Sequence, residues 1–249
     1  MQRYRTLAQN HFTSYNYLKK MNQFSTKIAI FDLDGTLLDT VEDLGMATNH
    51  ALGVLGFPEH PVEAYKIFCG RGIYNLFRSA LPQDAATEEN VARMASLFIP
   101  YYDAHKCDCT VPYPGIPEML ERLSAEGVRL AVASNKYQDG AEKIIRHYFG
   151  KYDFVRVLGQ REGLPIKPDP AIVGEILSGV PGTRKEETVY CGDSDVDMKT
   201  GINAGVRTVG VTWGFRGRAE LEAYSPWRIA DTAEELTTFI LEQWKAKEA

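Results

Sequence analysis

The sequence is poor in the features that mark membrane, nucleic-acid or extracellular proteins. No stretch approaches the roughly 18 uninterrupted apolar residues that a membrane-spanning helix requires. The only cysteines among the 249 residues are Cys69, Cys107, Cys109 and Cys191, too few for a disulfide framework. Cys107-Asp108-Cys109 also lacks the CxxC spacing of a zinc site. These thiols read as reduced core or surface groups, which favours a cytosolic address. His50, His60, His105 and His147 stand singly, without HxxxH or HExxH spacing, so they read as structural or surface residues. With a formal charge of −5 and no dense Lys/Arg block, the chain offers no electrostatic footprint for a nucleic-acid backbone. Internal repeats and low-complexity tracts are missing as well.

What is present describes a globular protein. Apolar residues make up 44% and charged residues 24%, which excludes disorder throughout and suffices for one large domain or a core with an insertion. Residues 1–26 differ from the rest. Arg3, Arg5, Lys19 and Lys20, with Lys27 just beyond, precede any acid and show no clear helical stripe. A transit peptide has that composition. The competing reading, favoured here, is a poorly ordered N-terminal extension, with Met21 as a possible true start.

Four apolar runs read as strands buried on both faces: Lys27–Phe31, Val128–Ala133, Thr188–Cys191 and Val206–Val211. Helical patterns separate them, over Thr40–Leu55, Gly115–Ala125, Lys136–Phe149, Asp169–Leu177 and Asp231–Lys245. The first three are closed by glycine or proline. The expectation is an α/β fold, a parallel sheet covered by helices. Between the first two strands, residues 46–113 show helical spacing and no strand-like run, so an inserted helical domain is expected there. Phe57-Pro58 and Val111–Gly115 punctuate its edges. The core is then 27–45 and 114–249.

In open parallel sheets, ligands collect beyond the carboxyl ends of the strands. Asp32-Leu33-Asp34-Gly35 follows the first run, Ser134-Asn135-Lys136 the second, and Gly192-Asp193-Ser194-Asp195-Val196-Asp197 the third; Lys167-Pro168 precedes the helix at Asp169. Carboxylates in that number repel unless a cation sits among them, and a hard, oxygen-rich site suits Mg²⁺. Asp32, Asp34 and Asp193 are the expected ligands, with Asp197 supporting the metal directly or through water. Asp195 reads as a helix N-terminal charge. Asp32, ionised at neutral pH, can attack phosphorus as a nucleophile, and Asp34 can act as general acid and base. Ser134, Asn135 and Lys167 are the expected phosphoryl contacts. In the insertion, Gly70-Arg71-Gly72 exposes an arginine that can pair with a substrate carboxylate or second phosphate, although an ordinary surface role competes.

DLDGTLLDT, VASNK, Lys167-Pro168 and GDSDVD together resemble the four motifs of the haloacid dehalogenase superfamily of phosphatases, over roughly Lys27 to Trp213. That resemblance implies a Rossmann-like core, an aspartyl-phosphate intermediate and Mg²⁺, and makes the helical insertion resemble the C1 cap. Asp34 sets the sequence with the phosphotransferases of the superfamily and apart from its dehalogenases. The segment GDSDVDMKTGINAG with VGVTWGF is most similar to phosphoglycolate phosphatases and their pyrophosphatase-like relatives. The expected partner is a small phosphorylated metabolite, with monomer or homodimer left open. A sugar phosphomutase or pyrophosphatase of the same superfamily and a non-catalytic phosphometabolite sensor are the alternatives.

Overall fold

A computed structural model describes residues 26–245. The extension expected over 1–26, and the start at Met21, lie outside the described residues except for Thr26. Six parallel strands form one sheet in the order β5-β4-β1-β6-β7-β8. They are β1 Thr26–Phe31, β4 Arg129–Tyr137, β5 Phe154–Gln160, β6 Thr183–Gly192, β7 Arg207–Val211 and β8 Arg228–Ala230.

Alternation along β1 explains why its sequence is apolar throughout. Ala29 and Phe31 enter one core cluster, while Ile28 and Ile30 enter the cluster on the opposite face, and all are fully buried. The first face is covered by α5 (Ile116–Ala125), α6 (Gln138–Phe149) and α10 (Ala233–Lys245), through Leu120, Ile144 and Leu236. On the other face lies α7 (Ala171–Gly179), through Ile172 and Ile176. Helix α8 (Asp195–Ala204) follows β6, and the short α9 (Arg218–Glu222) follows β7. From β1 the chain builds outward in both directions, so β1 is the point at which strand order reverses. A crevice opens at its carboxyl end.

Four helices lie between β1 and β4: α1 Val41–Leu55, α2 Val62–Phe68, α3 Ile73–Ala80 and α4 Glu88–His105. Leu44, Tyr65, Phe77 and Phe98, one from each, meet in a core cluster of their own. The chain leaves and re-enters the sheet layer through two short antiparallel strands, β2 Leu38–Asp39 and β3 Val111–Pro112. Asp43 braces this ribbon by accepting backbone N–H groups from Cys109 and Thr110 at 3.0 and 2.8 Å, and the Thr110 hydroxyl at 2.7 Å.

Several expectations need correction. Helix α1 is continuous from Val41, so the boundary expected at residue 46 falls inside it. Phe57-Pro58 joins α1 to α2 and does not bound the insertion; Gly56, left-handed at φ 76°, is what ends α1. Strands β5 and β8 were not expected. β5 lies at the sheet edge with Arg156 exposed in its middle, and β8 has only three residues, so neither shows a long apolar run. Helix α6 begins at Gln138, because β4 continues through Lys136 and Tyr137. That shift turns the Lys136 side chain into the crevice.

Candidate active site

The strand ends bring the acidic motifs together. Asp32 leaves β1 with its N–H on the Cys191 carbonyl at 2.9 Å, and its carboxylate accepts the N–H of Leu33 at 2.7 Å. Gly35 turns the chain in the left-handed region at φ +86°, and a Cβ there would fall 2.4 Å from an Asp193 oxygen. A side chain is excluded twice at this position, by backbone strain and by space. The tightness lets Thr36 donate to Asp193 at 3.0 Å, while Phe215 N–H donates to the other Asp193 oxygen at 2.7 Å.

Asp197 opens α8 in a capping box with Ser194, whose backbone N–H and hydroxyl both donate to its carboxylate, at 3.1 and 2.6 Å. Its second oxygen accepts from Tyr190 at 3.0 Å and from Lys167 at 2.8 Å. Lys167 Nζ also lies 2.9 Å from Asp32, bridging two buried carboxylates from different strands. Asn135 holds Lys167 in place: its carbonyl accepts the Lys167 N–H at 2.9 Å and its amide donates to the Lys167 carbonyl at 3.1 Å. The same amide group donates to Gly70 in the helical insertion at 2.9 Å. Ser134, buried, accepts the N–H of Lys136 at 3.2 Å, and its own O–H donates to no protein acceptor among the described residues.

Oxygen atoms of Asp32, Asp193 and Asp197 all lie within 4.8 Å of one another. Burial drives the Asp32 carboxyl up to about 7, the charge of Asp197 adds to the rise, and Lys167 opposes it. Asp193 is pushed well above the carboxylate range by burial and then by Asp197 and Asp32. Lys167 is also driven well above its ordinary value: burial opposes the charge, but Asp197 and Asp32 outweigh it. Burial and mutual repulsion thus oppose the charges of Asp32 and Asp193 even beside Lys167, an environment that a further cation would relieve. Three buried carboxylates this close together would suit a hard, oxygen-seeking dication, and Asp32, Asp193 and Asp197 are the residues around which it would sit.

The expected residues therefore divide. Asp32, Asp193 and Asp197 meet with Lys167. The Asp34 carboxylate stands apart from this trio, accepting from Thr40 at 2.8 Å and from Lys136 at 2.9 Å. Asn135, expected on phosphoryl oxygens, has its amide committed to the Lys167 backbone and to Gly70. Arg71, for which substrate contact and an ordinary surface role both stood open, pairs with Asp195 at 2.8 Å, and Lys199 shares that acid at 2.8 Å. Thr36, Lys136 and Tyr190 were not singled out from sequence. Lys136 adjoins Asn135 in VASNK, and that adjacency was the available signal.

The profile of haloacid dehalogenase-like hydrolases matches residues 29–211. The chain belongs to that family. A Vibrio parahaemolyticus phosphoglycolate phosphatase is 32% identical over 222 residues, covering 87% of this chain and 96% of the relative. The phosphoglycolate phosphatase of Aquifex aeolicus is 34% identical over 191 residues, with 76% and 86% covered. A crystal structure from Lactobacillus delbrueckii subsp. bulgaricus, of a protein assigned without proof of activity as a phosphoglycolate phosphatase, superposes with a TM-score of 0.79 at 34% identity, covering 87% of this chain and 99% of that one. Membership in this family makes the chain a hydrolase. Among its described residues no helix is long and apolar enough to cross a membrane.

Proposed function

We propose that this haloacid dehalogenase-like hydrolase is a Mg²⁺-dependent phosphomonoesterase for a small phosphorylated metabolite of the phosphoglycolate kind, acting through an aspartyl-phosphate on Asp32. The observation that carries the reading is the position of Asp32. It is held between Lys167 and the Asp193/Asp197 pair at the mouth of the crevice, with a second carboxylate, Asp34, on the same turn.

In this scheme Asp32 attacks phosphorus and the ester P–O bond breaks, with the leaving alkoxide taking a proton from Asp34. Water then attacks the aspartyl-phosphate, Asp34 takes the water proton, and the Asp32–phosphorus bond breaks to release inorganic phosphate. Ser134 O–H and the Lys167 ammonium bind phosphoryl oxygens and stabilise the charge spread over them. Thr40 fixes the Asp34 carboxylate. Asp32 and Asp193 are the groups that would hold Mg²⁺, with Asp197 supporting the site through its charge; the ion would supply positive charge to offset that of the phosphate as it nears a carboxylate. The helical insertion over the crevice excludes water from the reacting centre.

Phosphate release from a panel of small phosphorylated metabolites, with Mg²⁺ and with chelator, tests the reading. Turnover of a two- or three-carbon phosphate that requires Mg²⁺ and disappears in Asp32→Asn supports it. Turnover retained in Asp32→Asn refutes it.

A further inference from the structure

Above Asp32 and Asp34 the insertion closes over a cavity of about 40 Å³. A water needs about 10–15 Å³ of such space, so there is room for about three. The wall contributed by the insertion is apolar, formed by Leu44, Ile73 and Leu76, apart from Cys69 and Tyr102. Among the described residues Lys136 is the one cationic side chain lining the cavity, and it reaches the interior because β4 runs to Tyr137, four residues past the strand end expected at Ala133.

The Lys136 side chain is buried, with Nζ at 2.9 and 3.3 Å from the two Asp34 oxygens and 4.7 Å from the centre of the Tyr102 ring. An ammonium carries three donors, and a single carboxylate accepts here. Tyr102, fully buried, lines the same cavity, and its hydroxyl has no hydrogen-bond partner among the described residues. A buried hydroxyl without a partner is costly, and so is an ammonium set against an apolar wall. Arg71 is turned away onto Asp195 and Lys167 is engaged by Asp32 and Asp197, so neither serves this space.

We propose that Lys136 and Tyr102 form the recognition site for a carboxylate on the substrate, one or two carbons from its phosphate ester. The ammonium supplies charge and the phenol a directed donor, together matching an anionic oxygen. Lys136 Nζ lies 2.9 Å from Asp34, on the same turn as Asp32, so a carboxylate that reaches it belongs to a short acid whose phosphorus is attacked by Asp32. This assignment rests on the phosphomonoesterase reading above and gives that site its selectivity.

Two esters of similar size separate the effects: 2-phosphoglycolate, which has the carboxylate, and 2-hydroxyethyl phosphate, which lacks it. Lys136→Met should lower kcat/KM for the acid on the order of 10²-fold more than for the neutral ester, with Lys136→Arg recovering part of the loss. Tyr102→Phe, a milder change, should cost about tenfold on the acid alone. Equal losses on both esters would overturn the proposal, since Lys136 would then act only through Asp34; so would a wild-type enzyme indifferent to the carboxylate. Calorimetric binding of 2-phosphoglycolate to Asp32→Asn protein with Mg²⁺ keeps this separate from the parent reading. Binding that Lys136→Met weakens by a similar factor supports the site even if no ester is hydrolysed, whereas absent or unchanged binding overturns it.

Discussion

Asp32 and Lys167 form an ion pair 2.9 Å long, with side chains only 9% and 1% exposed. Lys167 also carries Asp197 at 2.8 Å, so one ammonium partly neutralises two acids that share their space with Asp193. Breaking a buried pair by removing one partner leaves an uncompensated charge.

Lys167→Met should therefore cost about 3–5 kcal/mol of stability without divalent cation. Urea denaturation with and without Mg²⁺ measures this. Mg²⁺ should recover part of the loss, because added positive charge at Asp32, Asp193 and Asp197 replaces some of what the lysine supplied. A variant as stable as wild type would show that the pair does not matter to the fold.

Asp34→Asn should lower kcat by about 10²–10⁴-fold, the usual contribution of a positioned acid and base. The two half-reactions respond differently. An aryl phosphate with a good leaving group needs little help to leave, so the variant should show a burst of phenol followed by slow turnover, as water is no longer deprotonated. Stopped-flow traces without a burst, at undiminished kcat, would remove Asp34 from both steps.

The link between insertion and core makes a further prediction. Arg216 donates to the carbonyls of Lys66, Ile67 and Cys69, at and just beyond the C-terminus of α2, and the preceding Phe215 N–H holds Asp193. Arg216→Ala should loosen the insertion while sparing the sheet. Hydrogen exchange should speed up in residues 62–72, with amides of β1 and β6 unchanged. Hydrogen bonds of this charged kind contribute about 1.5–3 kcal/mol, which sets the expected local loss.

Asp103 ties α4 to the core and gives a pH dependence. Burial raises its pKa, but the Tyr137 hydroxyl, Lys106 and Lys143 outweigh burial and leave it below the ordinary value of 3.8. A depressed folded-state pKa stabilises the protein above the unfolded value and loses that contribution as pH falls through the folded one. The stability difference between wild type and Asp103→Asn should be constant at neutral pH and shrink below about pH 4. A difference that widens in acid would contradict the assignment. Denaturant midpoints across pH measure it.

The candidate site's acidic loops were legible because Asp32, Asp34 and Gly35 follow an apolar run directly, and Asp193 and Asp197 follow another. Such local order survives folding. Lys167 was legible only through its neighbour Pro168 and its place between motifs. The double clamp of Asn135 on Lys167 was not, since it depends on how β4 meets a loop 32 residues away. The helical pattern expected from Lys136 starts two residues later in the structure, because pairing of Tyr137 with Gln160 extends the strand. Tyr102 lies far along the chain from every motif, and only the packing of α4 against α1 brings it to the cavity.

The account turns on transient phosphorylation of Asp32. Acid-quenched single-turnover reactions with Mg²⁺ and 2-phosphoglycolate, followed by peptide mass analysis, test this most directly. The prediction is one added phosphoryl group on the peptide containing Asp32, absent in Asp32→Asn and accumulating in Asp34→Asn. Turnover with no phosphorylated peptide in Asp34→Asn, or with the group on another residue, would contradict it.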